Sequence, residues 1–152
     1  MKILKSIIVA LLCVVMCLSS TACAIWDLAY KKQEKEYYSD KSNFVSVTAV
    51  CLELNTNEWF PGQYFINVDS MFYTTANGSK FNSQSFEIGV ANATILKEAG
   101  IEEKLTPGVV FIFISAPKYF GDGYWCPIVG LEINGEVLLD FETGYKNLMA
   151  QY

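Results

Sequence analysis

A mainly β fold is predicted for this chain, one small domain of five to six strands with a single helix between the third and fourth strands. Three observations predict it. Apolar residues recur with period two in several segments between residues 44 and 141, one Asn-Gly pair sits between two apolar runs, and one helix-like stretch interrupts the strands.

The first 22 residues stand apart from this pattern. Lys2 and Lys5 precede twelve unbroken apolar residues, Ile7 to Leu18, followed by small residues up to Ala22, the order of regions in an export signal. Twelve residues fall short of the roughly 20 that span a bilayer. The run Ser20-Thr21-Ala22-Cys23 resembles the lipobox of bacterial lipoproteins, although Ser20 stands where leucine is most common. That resemblance implies a signal peptide over 1–22 and acyl chains on Cys23, the first residue of the mature protein. It also implies a site at the cell membrane, outside the cytoplasm. Two acyl chains give stable anchoring where one is marginal. Two rival readings stay open: cleavage by an ordinary signal peptidase at Ala22 or Ala24, and an uncleaved anchor from Ile7 to Trp26.

From Cys23 onward 130 residues remain, which suits one domain with a real core. The whole chain has net charge −5, and loss of Lys2 and Lys5 makes the mature part −7. Nucleic acid is therefore excluded as an expected partner, because phosphate binding calls for a basic footprint. With no histidine, Ser-His-Asp and Cys-His catalysis cannot be assembled, and no zinc or haem site, nor any other metal or cofactor, is expected. No enzymatic activity is expected. Asp122, between two glycines, reads as a turn residue, and Asp140 and Glu142 as neighbours on the solvated face of the last strand. Asn77-Gly78-Ser79 and Asn92-Ala93-Thr94 match the glycosylation acceptor pattern by chance in a bacterial export context; the first reads as a loop turn.

Two cysteines, Cys51 and Cys126, remain in the folded part. In an exported protein they are a possible disulfide; as members of apolar runs they read equally as small buried hydrophobes.

Residues 23–42, rich in Lys, Glu and Asp and free of Gly and Pro, are expected to form a tether, as a helix or as a disordered stalk. The domain is expected over 43–152. Its first strand spans Phe44 to Leu54 and ends at the turn cluster Asn55-Thr56-Asn57; its second, Tyr64 to Thr74, has Tyr64, Ile66, Val68 and Phe72 on one face. A polar run, Ala76 to Gln84, precedes a third strand from Ser85 to Val90. Asn92 then serves as N-cap for a helix from Ala93 to about Leu105, with Gly100 as an interruption. Val109 to Ile114, apolar throughout, reads as a strand covered on both faces. Pro127 to Ile133 and Val137 to Phe141, joined by Asn134-Gly135, read as a hairpin with a type I′ turn.

This order of elements resembles the OB-fold, a five-stranded Greek-key barrel with a helix after its third strand, over about Phe44 to Phe141. Another small barrel, or an α+β sheet with one covering helix, stays open. The stretch Pro107 to Asn147 also resembles uncharacterised small lipoproteins of Gram-positive anaerobes, which brings no activity with it. The OB-like resemblance implies a binding face framed by the loops after strands one and four. Those loops contain Trp59 and Phe60 in the first, and Tyr119, Phe120, Tyr124 and Trp125 in the second. Such aromatics stack on the apolar faces of sugars or on peptides, giving a binding module for a cell-wall glycan, peptide or partner protein. The alternative is a structural or accessory lipoprotein with no small ligand, whose rings complete the core.

Overall fold

The computed structural model describes residues 28–57, 60–74, 76, 78, 80–116 and 125–152. The alternation of apolar residues builds β1 (Val45–Asn57), β2 (Phe60–Thr74), β3 (Lys80–Ile88), β4 (Val110–Ser115), β5 (Trp125–Ile133) and β6 (Glu136–Leu139). They form a six-stranded sheet in the order β3-β2-β1-β4-β5-β6, antiparallel throughout except that β5 also pairs in parallel with β3. The mainly β class is as expected.

β1 is shared between two partners. Its first half, Val45 to Val50, pairs with β4, and from Cys51 onward it pairs with β2. A register shift between Cys51 and Glu53 marks the change, as a bulge bends a strand toward a new neighbour. The backbone of Cys51 stays satisfied on the β4 side, donating to Val109 O at 2.9 Å and accepting from Gly108 N at 2.8 Å. β5 divides similarly: residues 125–127 pair with β3, and Leu131 to Ile133 with β6. β1, β2, β3 and β4 thus have two strand neighbours each, and β5, with β6 as a third, closes a cycle of pairings β1-β2-β3-β5-β4.

One face of this cycle is the core. It is lined by Val47, Ala49 and Cys51 of β1, Tyr64, Ile66 and Val68 of β2, Phe86 and Ile88 of β3, Phe111 and Phe113 of β4, and Ile128 and Leu131 of β5. Phe113 lies at its centre, 4.5 Å from Phe86 and 5.3 Å from Phe111 between ring centroids. Buried Tyr64, Ile66 and Val68 follow the expected alternation. Between β3 and β4, Ala93, Leu96, Ile101 and Leu105 add apolar side chains from two short helices, α2 (Val90–Glu98) and α3 (Ile101–Lys104).

Several expectations are corrected. The helix expected from Ala93 to Leu105 is two helices, because Gly100 takes a left-handed φ of 76° that ends the first and caps the second. Gly89, not Asn92, caps α2. Asn55-Thr56-Asn57 continues β1 instead of ending it, since Asn55, Thr56 and Asn57 find partners in Phe65, Tyr64 and Phe60. β4 is fully covered on one face only; on the other, Val110 and Ile112 stay exposed and Ile114 is partly buried. The Asn134-Gly135 turn forms as expected, with φ of 53° and 82°, both in the positive range that a type I′ turn needs.

The last strand ends at Leu139. Asp140 is the N-cap of a further helix, α4 (Phe141–Met149), its carboxylate accepting from Thr143 N at 2.9 Å. Asp140 and Glu142 are therefore not two positions on a strand face. Gly144 lets α4 approach β5 closely, since a Cβ there would run into the carbonyl of Val129. Buried Asn92 ties the joint: its side-chain amide donates to Ile128 O at 3.4 Å and Gly144 O at 3.2 Å, and its oxygen accepts from Asn147 at 2.9 Å.

Residues 28–39, within the expected tether, are a helix, α1. Its later turns are packed onto the domain. Tyr38, only 2% exposed, joins Ala116, Val129 and Leu148 in a second apolar cluster with Phe44, Phe141 and Tyr152 around it. Tyr152 donates its hydroxyl to the buried Glu34 at 3.1 Å, Lys35 donates to Tyr152 O at 3.3 Å, and Tyr145 donates to Ser39 O at 3.3 Å. The packed unit thus begins before residue 43. Among the described residues no helix is long and apolar enough to cross a membrane.

Candidate functional site

If Tyr64, Ile66 and Val68 of β2 point into the core, Phe65 and Asn67 must point the other way. The pairing register extends that outer face over β1, β2 and β3 and aligns the backbone of β5 beside it. One row is Glu53 of β1, Asn67 of β2, Ser85 of β3 and Trp125 of β5; the next is Asn55, Phe65, Glu87 and Pro127. The first row is tied by hydrogen bonds. Asn67 donates to Glu53 Oε2 at 3.2 Å, and Ser85 donates to Asn67 Oδ1 at 2.8 Å. Phe60 flanks the second row, 42% exposed with its ring 6.0 Å from that of Phe65, which is itself only 6% exposed.

Glu53 is also on the rim of a groove of about 380 Å³ lined by Leu54, Thr56, Tyr64, Glu102, Leu105, Thr106 and Pro107. Leu54, Leu105 and Pro107 give it an apolar component, and three hydroxyls and two carboxylates give it hydrogen-bonding capacity. Tyr64 Oη donates to Glu102 Oε1 at 2.5 Å. Burial, reinforced by the Glu102 carboxylate, pushes the Tyr64 phenol up to about 12, so it remains a donor at physiological pH. A carboxylate, an amide, a hydroxyl and an adjoining ring along one extended face match the needs of a ligand rich in hydroxyls or peptide groups.

Of the residues singled out from sequence, Cys23, Trp59, Tyr119, Phe120 and Tyr124 lie outside the described residues. Phe60 begins β2 and Trp125 begins β5. The register places Trp125 at the end of the Glu53–Asn67–Ser85 row, and Phe60 beside the neighbouring row. The possible Cys51–Cys126 bridge is not formed: both are buried free thiols, Cys51 opposite Val68 and Cys126 opposite Phe86 on strands that do not adjoin. Burial holds the Cys51 thiol above its ordinary pKa and so protonated and unreactive. Among the described residues, no group of three His, Cys, Asp or Glu is arranged to hold a metal ion.

No family model, curated protein or solved structure matches the chain.

Sequence reasoning chose the aromatic loops and passed over Glu53, Asn67, Ser85, Tyr64 and Glu102. The parity of β2 was available to indicate Asn67. Its alignment with Glu53 and Ser85 depends on register across three strands, which no local pattern specifies.

Proposed function

We propose that this protein is an extracytoplasmic binding module, anchored by lipid at Cys23. Its OB-like Greek-key barrel would present the outer face of β1, β2 and β3, between the loops of Trp59–Phe60 and Tyr119–Trp125, to a cell-wall glycan, peptide or partner protein. The barrel reading is supported by the cyclic pairing β1-β2-β3-β5-β4, by the parallel β3–β5 contact, and by helices placed between β3 and β4. The observation that carries the functional reading is the hydrogen-bonded row Glu53–Asn67–Ser85 leading to Trp125. Its exposed Glu53 carboxylate and the half-buried amide and hydroxyl beside it favour a polyhydroxylated ligand, and the net charge of −5 disfavours anionic polymers such as nucleic acid. The reading is a non-catalytic one, since a chain without histidine offers no ready general base near neutral pH.

A structural or accessory role is the second reading. It is favoured by Phe65, which is nearly buried on the same face.

Tryptophan emission of the chain from residue 28, which keeps Trp59 and Trp125 and retains α1, separates the two. Titration with cell-wall glycan fragments, peptides and a single-stranded oligonucleotide should give a saturable change with one class. Asn67→Ala and Glu53→Gln should each weaken that affinity by about fivefold to tenfold, the loss of about one hydrogen bond. Emission indifferent to every class would leave the structural role.

A further inference from the structure

The anchor is only as long as the chain left free between lipid and domain. α1 is not free: Tyr38 is inserted among Ala116, Val129 and Leu148, and Glu34, Lys35 and Ser39 are each bonded to α4 or the residues after it. From Cys23 to Leu28 there are five residue steps, at most about 18 Å whatever their conformation. A stalk running from Cys23 to Phe44 could extend about 70 Å. Docking of α1 therefore removes most of the stand-off that the sequence offers.

Charge on the same helix has the complementary sign. Lys31, Lys32 and Lys35 are exposed, while Glu34 between them is buried. Lys32 meets Glu36 only at 3.9 Å, with both side chains largely in solvent. Leu28, at the end nearest the anchor, is 69% exposed. The remainder of the molecule is acidic and is repelled by an anionic surface, so these lysines set an orientation.

We propose that the exposed face of α1 around Leu28, Lys31 and Lys32 is a membrane-docking surface that holds the domain against anionic lipid headgroups instead of on a stalk. The inference rests on the lipid anchor at Cys23 proposed above. It restricts the partners too: with a domain roughly 36 Å across, the binding face reaches ligands within about 50 Å of the bilayer, such as lipid-linked or membrane-proximal wall components.

The test uses the full-length protein extracted from membranes and reconstituted into vesicles of phosphatidylcholine, with or without roughly a third phosphatidylglycerol. A donor dye on Asn134→Cys, at the exposed hairpin turn, reports energy transfer to an acceptor dye on lipid headgroups; buried Cys51 and Cys126 do not compete for the label. Transfer should be strong, and in the neutral vesicles, where the lysines find no anionic partner, a flexible Gly-Ser insertion of about 20 residues after Ala24, which leaves α1 untouched, should reduce it at least about twofold. Reversing Lys31 and Lys32 to Glu, which leaves the Lys35–Tyr152 contact intact, should lower transfer in the anionic vesicles and not in the neutral ones. Equal transfer with and without the insertion in the neutral vesicles would overturn the short stand-off. Indifference to the lysine reversal would overturn the headgroup contact. Protein that fails to float with vesicles and has no lipid mass on Cys23 would remove the anchor itself, a result distinct from both.

Discussion

Asn92 shows how a single side chain can close a gap in a sheet. Midway along β5, between the residues that pair with β3 and those that pair with β6, Ile128 O is met by the Asn92 amide, which also reaches Gly144 O. Asn92→Leu would remove the side-chain donor to Ile128 O and Gly144 O and the acceptor of Asn147, and urea unfolding should register a loss of about 1–3 kcal/mol. Gly144→Ala should cost about as much or more, because the added methyl meets backbone at Val129 that cannot turn aside; a fall in Tm measures it. Neither role could be read from sequence. Asn before a helical pattern normally signals a cap, and only the approach of α4 gives this one a buried task. Tyr64 makes a third residue-scale prediction. Its phenol titrates at about 12 against an ordinary 10.0, raised first by burial and then by Glu102. A raised folded-state value means that the stabilisation is complete below pH 10 and is lost as pH climbs toward 12. Alkaline unfolding followed by circular dichroism should thus begin at lower pH in wild type than in Tyr64→Phe, measured from each protein's own neutral-pH stability.

At the scale of elements, local codes were legible where one short stretch determines the geometry. Asn134-Gly135 dictated its turn, and Gly100 its break between α2 and α3. The miss at α4 is instructive. Asp140, three residues before Thr143, is an N-cap in plain view, yet Val137 to Phe141 continues an apolar run and Gly144 weakens the helical reading. α4 nevertheless closes the second core cluster. Leu148→Ala should lose about 2–5 kcal/mol in denaturant unfolding. Thr143 N holds the Asp140 carboxyl below the usual aspartate value of 3.8, so its stabilising effect is present above that pH and is lost as pH falls below it. Asp140→Ala should accordingly flatten the acid limb of the stability profile, whereas Asp140→Asn should keep the cap. The charges at 28–39 form no consistent ladder that would specify a helix; what orders it is Tyr38, whose partners lie some 80 to 110 positions away.

For the molecule as a whole, the succession of strands was encoded in period-two alternation, while their arrangement was not. The parallel contact of β3 with β5 joins Phe86 to Cys126 across α2, α3 and β4, and nothing near either residue announces it. That contact sets Trp125 beside Ser85 and so creates the row on which the functional reading rests. The aromatic loops, the most conspicuous feature of the sequence, contribute Phe60 and Trp125 to the described site, and Trp59, Tyr119, Phe120 and Tyr124 lie outside it. A competing surface exists elsewhere on the outer face, on β4 and β6, where exposed Ile112 and Val137 line a hollow of about 250 Å³ that includes Ile114 and Phe141, and Val110 is exposed at the start of β4. An interaction there would be apolar in character and would make no use of Glu53 or Asn67. The most direct measurement is an amide nitrogen–proton NMR titration of the chain from residue 28 with the ligand class that shifts its tryptophan emission. Shifts concentrated on Glu53, Asn67, Ser85 and Trp125 are the predicted result; shifts concentrated on Val110, Ile112 and Val137, with the β1–β3 face unmoved, would contradict it.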